Sequence, residues 1–403
     1  MRATAVVACL SVQVVAVAGC GGETQQDSDG GAGAGGAVQS ACVIESSGTL
    51  PSLPASDVPI GGPGIVATDS SFVIGYRDRG GASLRARLFS LSDSGSLGAA
   101  QVFDLGCAAG GPADSASLAY RDGVGMFTAS LPECGTGAGA VFIPFDDQGT
   151  PSQASGPKNN SFLSLVTSAR AVSPGRTLGE WELVYAVSAD GQSSTVERVV
   201  LEGATFKSSP PVAHPFGDGP RPWGSIASGR EVVALLSPNP ATQSLELLMG
   251  PLVTGPLNVA PAPPLPPGDS GDLVAWGARA AVGVRSGPSV WVSVFRYSAG
   301  GGLDSVGEGQ LSAVGSVSSA LAVDYDRLFV AHGGPGSIQL DRIDGADGVP
   351  DFGAVASTKI PADFNGARMA IAAARGKVAM VWLGGAQVGA ETSTGGWAIM
   401  RCE

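Results

Sequence analysis

The chain has 403 residues, 44% hydrophobic and only 14% charged, with a formal net charge of -12. That composition buries a large core and excludes a wholly disordered polymer. No basic cluster is read from the sequence at this net charge, so nucleic acid is a poor candidate partner. The 61 glycines and 28 prolines punctuate the chain so often that many short strands joined by many turns are expected.

The chain opens with Met1-Arg2, an apolar run from Ala3 to Val17, and then Val17-Ala18-Gly19-Cys20. A short apolar run ending in small residues before a cysteine reads as an export signal with a lipobox, cleaved so that Cys20 carries lipid. The run is shorter than the roughly 20 residues a membrane-spanning helix needs. Gly21 follows the cysteine where aspartate would signal inner-membrane retention, so an outer-membrane lipoprotein is expected, periplasmic or surface-exposed. Residues 21–41 are a polar, glycine-rich tether with an r.m.s. reach of about 25 Å. Gly31, Gly33 and Gly36 match G-x-G-x-x-G, but no strand precedes them and no helix follows, so the match has no dinucleotide-binding value. The expected organisation is a signal peptide with its lipidated cysteine (1–20), a tether (21–41) and one folded domain (42–403).

Beyond Cys42 a unit recurs about every fifty residues. Its clearest element is a short apolar strand: Phe72–Tyr76, Gly123–Phe127, Glu182–Ala186, Glu231–Leu235, Ala280–Val284, Arg327–Ala331 and Lys377–Val381. A small-residue strand precedes each: Gly64–Ala67, Ala116–Ala119, Phe162–Leu165, Gly224–Ala227, Asp272–Ala275, Ser319–Ala322 and Met369–Ala372. An alternating strand follows each: Ser83–Leu88, Ala140–Phe145, Thr195–Val200, Leu245–Met249, Ser289–Val294, Ser337–Asp341 and Trp397–Arg401. Small residues suit the crowded centre of a ring, and alternation suits strands with one wetter face. With a weaker closing strand such as Ala100–Phe103, about seven four-stranded units form an all-β β-propeller, six or eight blades being the alternatives.

The last unit lacks its fourth strand, and the segment from Cys42 to Leu50 is expected to supply it, closing the ring with both termini. Of the six cysteines, Cys9 leaves with the signal and Cys20 is lipidated, so four remain for two disulfides. Ring closure puts Cys42 beside Cys402 and leaves Cys107 to pair with Cys134. In layout, nearly all of the mature chain resembles bacterial lipoproteins carrying a β-propeller-like repeat domain. The resemblance is architectural and implies a propeller held at the cell envelope.

Gly268-Asp269-Ser270-Gly271 is similar to the nucleophile segment of trypsin-like proteases over four residues. Neither histidine, His214 or His332, lies in a triad context, so a polar loop is expected there and no catalytic residue is assigned. The best calcium candidate is the loop holding Asp344, Asp347 and Asp351; an ordinary Asp/Gly hairpin turn competes with it, and no cofactor is otherwise expected. The candidate ligand face is the one carrying the Cys107 and Cys134 loops. It gathers Arg77, Asp78, Arg79, Asp218, Arg221, Trp223, Arg285 and His332, with Trp223 suited to stacking on a sugar or peptide. The expectation is a non-catalytic binding or scaffold protein for a protein, peptide or glycan, held on the membrane by its lipid. The alternatives are an envelope hydrolase or lyase using Asp78, Asp218 and His332 on that face, and a purely structural envelope subunit.

Overall fold

A computed structural model describes residues 41–53, 57–80, 83–104, 116–131, 139–151, 158–159, 166–174, 180–187, 193–202, 207–208, 212–218, 225–228, 232–238, 245–251, 260–261, 264–268, 270–298, 302–311, 318–334, 336–346, 349–362, 368–384 and 395–403. The expected signal and nearly all of the tether lie outside these residues, as do Cys107, Cys134, Arg221, Trp223 and Asp347.

The described residues form seven antiparallel sheets, six of them meanders of consecutive strands. Blade one is Asp57–Ala67, Ser71–Gly80, Ser83–Ser92 and Gln101–Asp104; blade two is Ser117–Arg121, Val124–Leu131, Gly139–Phe145 and Lys158–Asn159. Blade three is Val166–Pro174, Glu180–Val187 and Ser193–Glu202, with an outer edge split into Lys207–Ser208 and Val212–Asp218. Blade four is Ser225–Ser228, Val232–Pro238, Leu245–Pro251 and Ala260–Pro261; blade five is Ser270–Trp276, Arg279–Ser286, Ser289–Tyr297 and Leu303–Leu311. Blade six is Ser318–Asp324, Arg327–Gly334, Ser337–Ala346 and Val349–Pro361. Blade seven is Met369–Ala374, Lys377–Trp382 and Gly396–Arg401, completed by Val43–Thr49 from the other end of the domain. The first strand of each blade lies against the first strand of the next, and the seventh returns to the first. The fold is a seven-bladed β-propeller.

Strand alternation explains why the second strands read as unbroken apolar runs. In Arg279–Ser286, Ala280, Val282 and Val284 pack against blade four with Leu236 and Leu247. Ala281, one residue out of phase, packs against blade six with Leu328 and Val330. A strand buried on both faces has no polar face to show. Gly283 sits in the same strand because a Cβ there would stand 3.0 Å from Leu321 of blade six. The other described interfaces repeat the scheme: Tyr76 and Phe89 stack at 5.7 Å and pack with Val381 and Ile399 between blades seven and one, and Val73 and Leu88 meet Phe127 and Ile143 between blades one and two.

Ring closure follows the expected register. Val43–Thr49 pairs antiparallel with Gly396–Arg401, starting at Val43↔Arg401. Cys42 and Cys402 form a disulfide spanning 360 residues of sequence. Both sulfurs are buried in the apolar interface between blades six and seven, with Phe329, Leu340 and Met400. Of the expected first strands, Phe162–Leu165 lies outside the described residues; the inner strand of blade three there is Val166–Pro174.

Candidate functional site

A four-stranded meander places its first-to-second and third-to-fourth connections on one face of the ring. The second-to-third and blade-to-blade connections lie on the other. These are called here the turn face and the loop face.

On the turn face the central connections are short. Asp122–Gly123, Gly277–Ala278, Tyr325–Asp326 and Arg375–Gly376 each join two strands directly. Asp122, Tyr325 and Arg375 take φ of 51°, 53° and 57°, the left-handed conformation that tight hairpins demand. These turns are bonded to one another around the ring. Trp276 of blade five donates its Nε1–H to the Tyr325 carbonyl of blade six at 2.7 Å, with Arg279 over the indole at 5.7 Å. Gly376 N–H of blade seven donates to Asp324 of blade six at 3.3 Å, and Arg327 of blade six reaches the Cys402 carbonyl at 2.8 Å. Arg375 donates to the Thr68 and Ser71 carbonyls of blade one, pairs with Asp93 at 2.8 Å and lies 5.3 Å over the Phe72 ring.

The same chain of contacts continues into blade two. Thr68 and Ser71 hydroxyls donate to the Asp147 carbonyl at 3.0 and 2.9 Å, and the Tyr120 hydroxyl donates to Asp69 at 2.8 Å. Burial alone would raise the Asp147 carboxyl, but hydrogen bonds from Ser70, Thr68 and Tyr120 hold it down at about 2. Burial, then the bond to Asp69, pushes the Tyr120 hydroxyl well above its ordinary value. One further link lies between inner strands: the Leu321 N–H of blade six donates to the Asp272 carboxylate of blade five at 2.9 Å. Burial pushes Asp272 up to about 6, against the lowering effect of the Leu273 and Leu321 amides.

The loop face differs. Its connections include 105–116 between blades one and two and 383–395 within blade seven, and long connections over a rigid scaffold are where binding groups gather. The candidate residues divide sharply on this face. Arg79 is exposed and Arg285 half-buried at the end of its strand. Asp218 ends the outer edge of blade three, opposite Ser193. Arg77 is only 1% exposed; burial first, then the nearby positive charge of Arg368, pulls its guanidinium down to about 10.

Asp78 and His332 are turned between blades rather than outward. Asp78 is fully buried and pairs with Arg85 Nε at 3.0 Å and with Arg87 Nε. His332 Nε2 meets Asp341 Oδ2 at 2.8 Å, and the other Asp341 oxygen accepts from Gln339 at 2.8 Å and Ser357 at 2.5 Å. The serine bonds the aspartate and not the histidine, so this network lacks the serine-to-base contact that a triad requires. Cross-strand pairing places these groups: Asp78 lies opposite Arg85, and Asp341 opposite Ser357.

Of the calcium candidates, Asp344 gives both carboxylate oxygens to Arg342, at 2.7 and 2.5 Å, with Arg327 at 3.8 Å. Asp351 accepts from Gly353 N–H at 2.9 Å within its own turn. The residues joining Ser337–Ala346 to Val349–Pro361, Asp347 and Gly348, lie outside the described residues. Ser270, the serine of the protease-like segment, begins the inner strand of blade five opposite Arg285.

Several solved structures are similar to this chain. A subtype N11 neuraminidase-like protein (H18N11, flat-faced bat) is 9% identical with a TM-score of 0.45, covering 90% of this chain and 95% of its own. The Myceliophteria thermophila Cps50 (Swd1) β-propeller domain is 8% identical with a TM-score of 0.46, covering 88% and 100%. The β-propeller domain of the Trilobed protease from Pyrococcus furiosus is 8% identical with a TM-score of 0.43, covering 81% and 91%. At these identities the likeness concerns the fold alone. No protein-family model and no curated protein matches the chain.

Proposed function

We propose that this propeller is an exported lipoprotein, acylated at Cys20, that stands off the outer membrane on residues 21–41. Its loop face binds a protein, peptide or glycan without catalysis. The observation that carries the reading is the asymmetry of the two faces. Five of the seven blades are bonded to their neighbours along the turn face, which leaves that side committed to holding the ring. The loop face carries most of the longer connections, with Arg79 exposed beside them. The lipobox motif supports the anchor, and the tether supports separation of the anchor from the working face.

Binding is favoured over hydrolysis because Asp78 and His332, two of the groups an acid–base mechanism on this face would draw on, are engaged inside separate blades. The anchor is tested by palmitate labelling and membrane fractionation of Cys20→Ala: the variant loses label and leaves the membrane fraction. The face is tested by photo-crosslinking in intact cells from position 79 on the loop face and from position 325 on the turn face. Adducts from 79 and none from 325 are expected; the reverse pattern overturns the assignment.

A further inference from the structure

Among the described residues, one sector of the loop face is rich in arginine. Arg77, Arg79, Arg85 and Arg87 lie in the second and third strands of blade one, and Arg368 stands at the entry to the first strand of blade seven. Among the described residues, the acids at this end of the two blades are Asp57, opposite Gly80, Asp78, and Asp104, opposite Arg85. Five arginines stand against these three aspartates, while Asp114, Asp363 and Glu391 of the adjoining connections lie outside the described residues. Asp78 is held by Arg85 and Arg87, on the side of its strand opposite to that of the adjacent Arg77, since successive strand residues face opposite ways.

The inner strands bring two of these arginines to one level. The first strands of blades seven and one lie side by side, and Arg375 donates to the Thr68 carbonyl at their turn-face end. Counting seven ladder steps back from that contact, with the two extra residues of the blade-one bulge allowed for, brings Arg368 about level with Pro59 and Ile60. Arg77 lies directly opposite Ile60, beside Gly61. The inner strand of blade one bulges here, between the pairs Ile60↔Arg77 and Gly64↔Gly75, and Gly61 takes φ of 77°. The bulge consists of Gly61, Gly62 and Pro63; Gly62 and Pro63 are buried, and Gly61 is the partly open one, with no side chain of its own beside the two guanidinium-bearing residues.

We propose that this junction of blades seven and one is an oxyanion subsite of the loop face, receiving a phosphate, sulfate or carboxylate group of the ligand. Arg368, which is exposed, makes the contact. Arg77, buried beneath the surface, supplies a fixed positive charge that no solvent shell can fully screen. A guanidinium has five donors in a planar fork matched to oxyanions, so it serves an anion while keeping structural partners. Burial and its neighbour already pull Arg77 below its ordinary range, and an anion at Arg368 would relieve that repulsion. The proposal rests on the loop face being the working face.

The test is a titration of the purified protein with inorganic phosphate at constant ionic strength, read by thermal melting and calorimetry. Wild type should show a saturable rise in Tm. Arg368→Gln should lower the affinity at least tenfold while melting cooperatively at an unchanged temperature in the absence of phosphate. Arg285→Gln, another arginine of this face but on blade five, should behave as wild type. Flotation with phosphatidylglycerol and with phosphatidylcholine vesicles separates a lipid headgroup from a soluble oxyanion as the source. The subsite is overturned if wild type gives no saturable response, or if Arg368→Gln responds as wild type does. Crosslinking from position 79 reports on the loop face independently: adducts that persist unchanged in Arg368→Gln would leave the face standing and remove the subsite.

Discussion

Replacing Asp272 with asparagine should make the protein more stable at neutral pH and leave it unchanged in acid. Asp272 belongs to the inner strand of blade five and accepts the Leu321 N–H of blade six at 2.9 Å. Burial raises its carboxyl from 3.8 to about 6. A folded carboxyl that holds its proton more tightly than the unfolded one adds no cost below pH 4, where both states are protonated. As pH rises from 4 to 6 the unfolded chain ionises first, so stability falls, and above 6 the full cost is present and constant. Two pKa units at about 1.4 kcal/mol each set a ceiling of about 3 kcal/mol; the residue is only partly covered, so water relieves part of this. Asparagine cannot ionise yet keeps an oxygen for Leu321, and the amide bonds to the carboxylate are already contained in the value of about 6. The net expectation for Asp272→Asn is a gain of about 1–2 kcal/mol above pH 6.5 that vanishes by pH 4. Urea denaturation of both proteins across pH 4–7.5 measures it, since the remaining carboxyls cancel in the difference. A difference that does not change with pH, or a variant less stable at pH 7.5, refutes the reasoning.

Other outcomes follow from the same contacts. Cys42→Ser opens the ring closure and should cost about 2–5 kcal/mol, measured by denaturant unfolding, with wild type in reductant approaching the variant. Gly48 faces the Trp397 ring, where a Cβ would stand 2.7 Å away; Gly48→Ala should cost about 1–3 kcal/mol by overpacking, seen as a lowered urea midpoint at unchanged m-value. Arg375→Ala removes the bonds joining blades seven and one and should cost about 1–3 kcal/mol, with hydrogen exchange rising at the Thr68–Ser71 turn. Asp147, held at about 2, contributes stability that is present above pH 4 and lost as pH falls toward 2, so Asp147→Asn should flatten the acid limb of the stability curve.

Much of the ring was legible because burial on both faces leaves its own signature. Ala280–Val284 and Phe72–Tyr76 are unbroken apolar runs since each packs against two blades. The closure at Cys42 and Cys402 was legible because one blade lacked a strand. The inner strand of blade three was harder to read: Val166–Pro174 carries Thr167, Ser168 and Arg170, polar residues that hide a strand from an apolar pattern. Asp78 and His332 were expected on the loop face, because sequence proximity to a turn says nothing about which way a strand residue points. Their partners Arg85, Arg87 and Asp341 stood in the adjoining strands as opposite charges across a ladder, a signal visible once the register is assumed. The bonds from Trp276 to Tyr325 and from Asp272 to Leu321 join residues about fifty apart to backbone atoms, and only the ring geometry brings them within reach.

The position of the disulfide also decides how the domain answers a pull. Val43–Thr49 runs antiparallel to Gly396–Arg401, and their first pair is Val43↔Arg401. Tension applied to the chain ahead of Val43 would load that pair alone and peel the strand away bond by bond, the weakest geometry a sheet can offer. Cys42 stands one residue ahead of the first pair and is covalently joined to Cys402. Force therefore leaves the edge strand before it can open it and enters Gly396–Arg401, which has a strand on either side. The link is a strain relief at the cable entry: a pull on the chain ahead of Cys42 reaches the body of a blade, while the strand that closes the ring carries none of the load.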